Sequence, residues 1–233
     1  MWRKPWIMTQ EWHDVLFLHW PVSPEDLRNY IPSELELDLY SNCAWIGLVS
    51  FRIKGNRPRF IPPIPGVSSF LQLNVRTYVT YKGMSGVHFF SLDVNNPFVV
   101  KMTTVGNFLP FRQGEISLKR SNNTWRFNSC FQQPGMFSET LLCTFEPMSN
   151  SIKSNPFERW LTERYHLWTI TKEHLVRVDI SHSPWVLHGV DVTIDENTMA
   201  PFIKCNNPMN PPTAHFSKMK KAVFFPPVLE KTK

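Results

Sequence analysis

Apolar residues alternate with polar ones, or run unbroken for a few positions, in six stretches of this chain: 44–53, 70–81, 86–94, 124–132, 165–171 and 175–182. That pattern predicts strands, because successive side chains of a strand point to opposite faces. The stretch 44–53 is apolar on both faces until Ser50 and Arg52, so it is expected to be a central strand covered on two sides. A different grammar marks helices. Ser23-Pro24, Asn96-Pro97 and Asn155-Pro156 each set a capping residue before a proline whose fixed φ suits the first helical position. Glu25-Asp26 and Glu158 then place carboxylates near unpaired amides of the first turn.

The stretch 70–81 has two unlike faces. Leu71, Leu73, Val75, Thr77, Val79 and Tyr81 form one; Phe70, Gln72, Asn74, Arg76, Tyr78 and Thr80 form the other. The second is a row of hydrogen-bonding groups spaced by roughly 6.6 Å, and it must face either water or a polar cavity. The pattern alone leaves both open.

Composition agrees with a β-rich globular chain. The 233 residues are 42% hydrophobic and 19% charged, with 18 Phe, 9 Trp and 20 Pro, which suits pleated sheets and turns. No repeat or Gly/Ser linker divides the sequence, and the proline-rich pieces 57–65 and 206–212 are short enough for ordered loops, so a single domain over 1–233 is expected. The net charge of +6 includes Lys218, Lys220, Lys221, Lys231 and Lys233 near the C-terminus. Without a contiguous basic stripe or a binding motif these read as solvated surface and tail, so neither nucleic acid nor a membrane is an expected partner. The first residues lack the apolar core of a secretory signal, and no run approaches the ~18 apolar residues of a spanning helix. The expected compartment is the cytoplasm.

Candidate chemistry is sparse. Phosphate loops, dinucleotide fingerprints, G-x-S-x-G elbows and H-E-x-x-H motifs are absent from the sequence. Cys43, Cys130, Cys143 and Cys205 lie far apart and read as free thiols, while His13/His19 and His182/His188 lack metal-ligand spacing. No metal or cofactor is therefore expected. Glu163-Arg164-Tyr165 and Ser181-His182-Ser183-Pro184-Trp185 fall at the ends of elements, where pockets collect polar groups. Each also reads as a structural ion pair or a turn.

Several segments in order carry a family resemblance: Leu16-Phe17-Leu18-His19-Trp20, Ala44-Trp45-Ile46-Gly47, Asn74-Val75-Arg76-Thr77-Tyr78-Val79, Gly86-Val87-His88-Phe89-Phe90-Ser91-Leu92-Asp93, Leu109-Pro110-Phe111, Leu161-Thr162-Glu163-Arg164-Tyr165 and Ser181-His182-Ser183-Pro184-Trp185. Over about residues 11–228 the chain resembles the YqjF-like family of bacterial proteins, a branch of the acetoacetate decarboxylase-like superfamily. The resemblance implies a mainly β fold, a curved antiparallel β-barrel enclosing a pocket with a few short helices outside, and it turns the polar row toward that pocket. It also implies a lysine directly after a proline as Schiff-base nucleophile, but here Pro110 is followed by Phe111 and Arg112. A pocket glutamate that the resemblance implies on the strand before Arg76-Thr77-Tyr78 is Gln72 here, which cannot act as a base. Lys82 and Lys101 are the remaining substitutes for the lysine, one in an expected hairpin turn and one on an expected helix.

The leading expectation is a protein that binds a small polar or anionic, carbonyl-bearing metabolite without Schiff-base decarboxylation. Gln72, Asn74, Arg76, Tyr78, Arg112, Glu163, Tyr165, His182 and Trp185 are its candidate ligand-binding residues, with Arg76 as the anion anchor and Glu163 as its expected protein partner. The alternatives are a lyase or hydratase using Tyr78, His182 or Glu163 as acid/base, and an interaction module without small-molecule chemistry.

Overall fold

The computed structural model describes residues 5–103, 109–171, 174–202 and 211–230. In chain order the strands are β1 (Met8–Val22), β2 (Glu36–Leu37), β3 (Ala44–Pro58), β4 (Phe70–Tyr81), β5 (Met84–Val94), β6 (Phe111–Gln113) and β7 (Glu115–Ser121). They continue with β8 (Thr124–Phe131), β9 (Glu139–Ser151), β10 (His166–Thr171), β11 (His174–Ser181), β12 (His188–Asn197), β13 (Thr213–Phe224) and β14 (Val228–Glu230). Three short helices, α1 (Pro24–Arg28), α2 (Pro97–Thr103) and α3 (Pro156–Thr162), begin at the three expected prolines. At α3 the cap is complete: the Asn155 side chain accepts from the Glu158 amide at 3.0 Å, and the Glu158 carboxylate accepts from the Asn155 amide at 2.7 Å. At α1 the Ser23 hydroxyl bonds Glu25 instead of a backbone amide.

Among the described residues, all fourteen strands belong to one sheet. The six expected strands appear as β3, β4, β5, β8, β10 and β11, with ends within a few residues of the pattern. The longest additions are β1 and β13. In β1 the apolar run is interrupted by Asp14 at φ 56°, where the register with β3 shifts, and in β13 the lysines disguise a paired strand. The path β11-β10-β5-β4-β3-β1-β13 is closed by pairing of Ile180 with Phe224 and Ser181 with Val223, which gives a ring of seven strands. From β13 the sheet continues through β12, β9, β8 and β7 as a wing.

The wing explains why β3 is apolar on both faces. Leu16 and Leu18 of β1, Ile46 and Leu48 of β3, and Leu71 and Leu73 of β4 pack in one core with Phe127, Leu141 and Phe145 of the wing. The opposite faces of β1, β3 and β4 supply Val15, Phe17, Val49, Phe51 and Phe70 to a second core with Val94, Val99 and Trp185. Covering both faces of a central strand removes apolar surface from water on both sides.

Local geometry fixes the seams. Lys82 and Gly83 join β4 to β5 at φ 49° and 76°, the twisted two-residue hairpin that favours glycine. Gly86 lies where β5 meets β10, and a Cβ there would sit 2.5 Å from the His166 carbonyl oxygen and 2.6 Å from Trp168 Cδ1. Because one obstacle is backbone, Gly86→Ala is expected to cost about 1–3 kcal/mol through forced overpacking. Urea denaturation checks this; an unchanged midpoint would mean that the β5/β10 seam gives way freely.

Candidate functional site

Inside the ring lies a cavity of about 360 Å³. The polar row of β4 reaches it as the alternation requires: Phe70, Gln72, Asn74 and Arg76 all line it. Gln72 and Asn74 are buried, and their side chains bond each other at 2.6 Å. Tyr78, further along the same face, is fully buried and does not line the cavity; its hydroxyl donates to the Leu161 carbonyl at 3.0 Å.

The end of α3 organises this part of the wall. A helix leaves its last carbonyls without intrahelical partners. Here each finds a side-chain donor from the ring or its loops. The Trp160 carbonyl accepts from Arg164 Nε at 2.6 Å, the Leu161 carbonyl from Tyr78 and, at 3.4 Å, from Arg76, and the Thr162 carbonyl from Trp185 Nε1 at 3.0 Å. Arg76, Arg164 and Trp185 are thereby held where they line the cavity. Arg76 Nε remains buried without a hydrogen-bond partner among the described residues.

Glu163 is not the partner expected for Arg76. One carboxylate oxygen accepts from the Trp185 amide at 2.8 Å and the other from the Tyr165 hydroxyl. The carboxylate caps the chain reversal before Trp185, so the positive charge of Arg76 has no ion-pair partner among the described residues. Burial and the bond to Glu163 push the Tyr165 hydroxyl well above its usual range. Neither Glu163 nor Tyr165 lines the cavity; they support the side chains that do.

His182 and Trp185 both line it. The His182 ring lies 4.8 Å from that of Tyr165 and 5.1 Å from that of Trp185, and Nδ1 lies 2.8 Å from the Ser183 carbonyl oxygen. Burial lowers its pKa against the opposing pull of that bond and of Glu163, which favours the neutral ring. His19 is fully buried, and burial with the nearby Arg76 charge holds its imidazole well below the usual range.

Arg112 lies apart from the cavity. Its Nε and Nη2 donate to the two oxygens of Asp93 at 2.7 and 2.9 Å, and Nη1 donates to Glu139 at 2.7 Å. Its neighbour Phe111 does line the cavity, from β6 paired beside β5. Alternation sends the two successive residues opposite ways. Thus the position where the resemblance implies an amine presents a phenyl ring.

No lysine is among the described residues lining the cavity. Lys82 sits in the β4/β5 hairpin and Lys101 on α2. The C-terminal lysines need a correction. Lys218 and Lys221 are exposed as expected, and Lys231 and Lys233 lie outside the described residues, but Lys220 is only 6% exposed. Its ammonium donates to the Pro184 carbonyl at 2.6 Å and Ser183 Oγ at 3.1 Å, tying β13 to the His182–Trp185 turn. Lys220, Ala222 and Phe224 occupy alternate positions of β13, a period-two signal that the charge obscured. Arg164 was also legible only as part of a loop, since its cavity position depends on Trp160 and Asp38. Cys43, Cys130 and Cys143 are free thiols; Cys205 lies outside the described residues. No group of three metal-ligating side chains occurs among the described residues, and no described helix is long and apolar enough to cross a membrane.

Comparison with known proteins adds kinship to this geometry. A family model, DUF2071, described as an uncharacterized conserved protein, matches residues 9–221. The protein YqjF of Bacillus subtilis (strain 168) is 35% identical over 223 residues, which cover 95% of this chain and 91% of the relative. Among solved structures, the enduracididine biosynthesis enzyme MppR complexed with pyruvate matches with a TM-score of 0.65 at 14% identity, over 98% of this chain and 91% of that one. An acetoacetate decarboxylase-like enzyme from Sphingomonas wittichii RW1 matches with a TM-score of 0.66 at 10% identity, over 98% of this chain and 95% of that one. At such identities the likeness concerns the fold, and it agrees with the mainly β architecture expected from the sequence.

Proposed function

Because the chain belongs to the DUF2071 family and has the acetoacetate decarboxylase-like fold, we propose that it binds a small organic acid in the ring cavity, without forming an imine with it. The observation that carries this reading is Arg76, a cavity-lining guanidinium with a buried, unpartnered Nε–H and no ion pair among the described residues. A half-buried cation without a counter-ion is costly, and a ligand carboxylate would supply the opposite charge. Gln72 and Asn74 stand beside it to take a carbonyl or hydroxyl oxygen of the ligand. The neighbour of this fold solved in complex with pyruvate supports a ligand of this class.

Phe111 on the cavity wall supports the absence of imine chemistry, since a phenyl ring offers no amine. The reading is tested by thermal unfolding with pyruvate, acetoacetate and short hydroxy acids. An acid at about 100 times its Kd is expected to add about 2.7 kcal/mol of stability. Borohydride reduction in the presence of acetoacetate is expected to leave the intact mass unchanged; a stoichiometric adduct on Lys82, Lys101 or Lys220 would overturn the non-imine assignment.

A second reading, an enzyme of the lyase or hydratase type, is favoured by one observation. His182 lines the cavity, and its burial favours the neutral imidazole, the form that accepts a proton from a carbon acid. Solvent deuterium exchange into the C3 position of a bound keto acid, lost in His182→Gln, tests it.

A further inference from the structure

A second arginine on the cavity wall also keeps one nitrogen without a partner among the described residues. Arg164 lines the cavity, is 8% exposed, and keeps Nη2 buried without a partner, while Nε and Nη1 bond the Trp160 carbonyl and Asp38. The Arg164 and Arg76 guanidinium carbons lie 4.9 and 5.8 Å from the Tyr78 ring centroid, so both side chains border the same part of the wall. Asp38 offsets one of the two positive charges. One charge is left for a ligand, which matches a single carboxylate rather than a dianion.

The rest of the lining has a different character. Phe51, Phe70, Phe89, Leu92, Phe111 and Ile180 surround the remaining space, and the polar groups there satisfy each other. Gln10 donates to Asn56 at 3.1 Å and accepts from Trp12 Nε1 at 2.8 Å. A three-carbon acid would hold its head at the two arginines and leave these rings facing unfilled space or poorly bonded water. The volume of about 360 Å³ falls within the ~300–1,000 Å³ of pockets that enclose whole drug-sized ligands.

We infer that the cavity takes an amphipathic monocarboxylate, its carboxylate held between Arg76 and Arg164 and its alkyl or aryl body, several carbons longer than that of pyruvate, packed against the aromatic wall. The inference rests on the anion-binding reading above and narrows its ligand class. Calorimetric titration of the full chain with 2-oxopropanoate, 2-oxobutanoate, 2-oxopentanoate, 2-oxohexanoate and phenylpyruvate tests it, with 2-hexanone as the neutral control. Affinity is expected to rise about four-fold per added methylene, roughly 60-fold from the three-carbon to the six-carbon acid. Phenylpyruvate is expected to bind at least as well as the six-carbon acid, and 2-hexanone at least ten-fold more weakly than that acid. Arg164→Lys keeps the charge beside Asp38 but removes the unused fork N–H, and it is expected to weaken all the acids by a similar factor. Binding that depends on Arg76 yet stays flat or falls with chain length would overturn the inference and leave the anion reading standing. If no acid binds, or 2-hexanone binds as tightly as 2-oxohexanoate, the anion reading fails and the inference with it.

Discussion

Arg76→Met is expected to lower the affinity of the chain for organic acids about 10- to 150-fold, the equivalent of one charge-assisted contact of roughly 1.5–3 kcal/mol. Methionine keeps much of the side-chain length and apolar stem, so the substitution removes charge and donors more than volume. The fold is expected to tolerate it. The Leu161 carbonyl keeps its bond from Tyr78, and the substitution also removes a buried N–H that has no partner among the described residues. Calorimetric titration of wild type and variant with 2-oxohexanoate, alongside urea denaturation of both, separates ligand loss from unfolding. Equal affinities in the two proteins would sink the assignment of Arg76 as anchor and reduce the polar row of β4 to buried structural hydrogen bonding.

Arg112→Met is expected to act in the opposite way, on stability and not on the ligand. The Asp93 side chain has no solvent exposure, and Arg112 holds both of its oxygens while also pairing with Glu139. Removing the cation leaves a buried carboxylate without its counter-charge, a loss of about 3–5 kcal/mol. Against a typical domain stability of about 5–15 kcal/mol, that is a large share. The pH dependence has a definite sign. Burial raises the Asp93 pKa even with Arg112 beside it, and the variant raises it further. A carboxyl whose folded pKa exceeds its unfolded value destabilises the fold above the folded pKa and is relieved by protonation as the pH falls through it. The deficit of the variant should therefore be larger at pH 8 than at pH 5 in urea denaturation. Asp93→Asn in the same chain should recover a large part of it. A deficit independent of pH would place the cost elsewhere, for example in the stacking of Arg112 over Phe131 at 3.8 Å.

Side by side, Arg76 and Arg112 mark how far a sequence can be read. Both were candidates for the ligand site, and both sit on strands beside apolar residues. The alternation of β4 was sufficient to put Gln72, Asn74 and Arg76 on one face, because the period of a strand is a local property of the backbone. The same local logic located the starts of the three helices, since a cap and a proline act within one turn. It also led to six of the strands and, through the ordered segments of the resemblance, to the fold class.

The destination of each face was not local. Whether the row of β4 meets water or a cavity depends on closing the ring between β11 and β13, residues about a hundred positions or more away in the chain. Arg112 was diverted by Asp93 and Glu139, which flank it only after β5, β6 and the start of β9 assemble. Glu163 was drawn to Trp185 and Tyr165 by the turn after β11, and Lys220 was buried because β13 closes the ring against that turn. Local pattern thus determined which residues share a strand and a face, because backbone geometry repeats every two residues. Tertiary structure alone decided which charges meet a partner and which are left facing a cavity, because ion pairs and enclosure depend on contacts between segments distant in sequence.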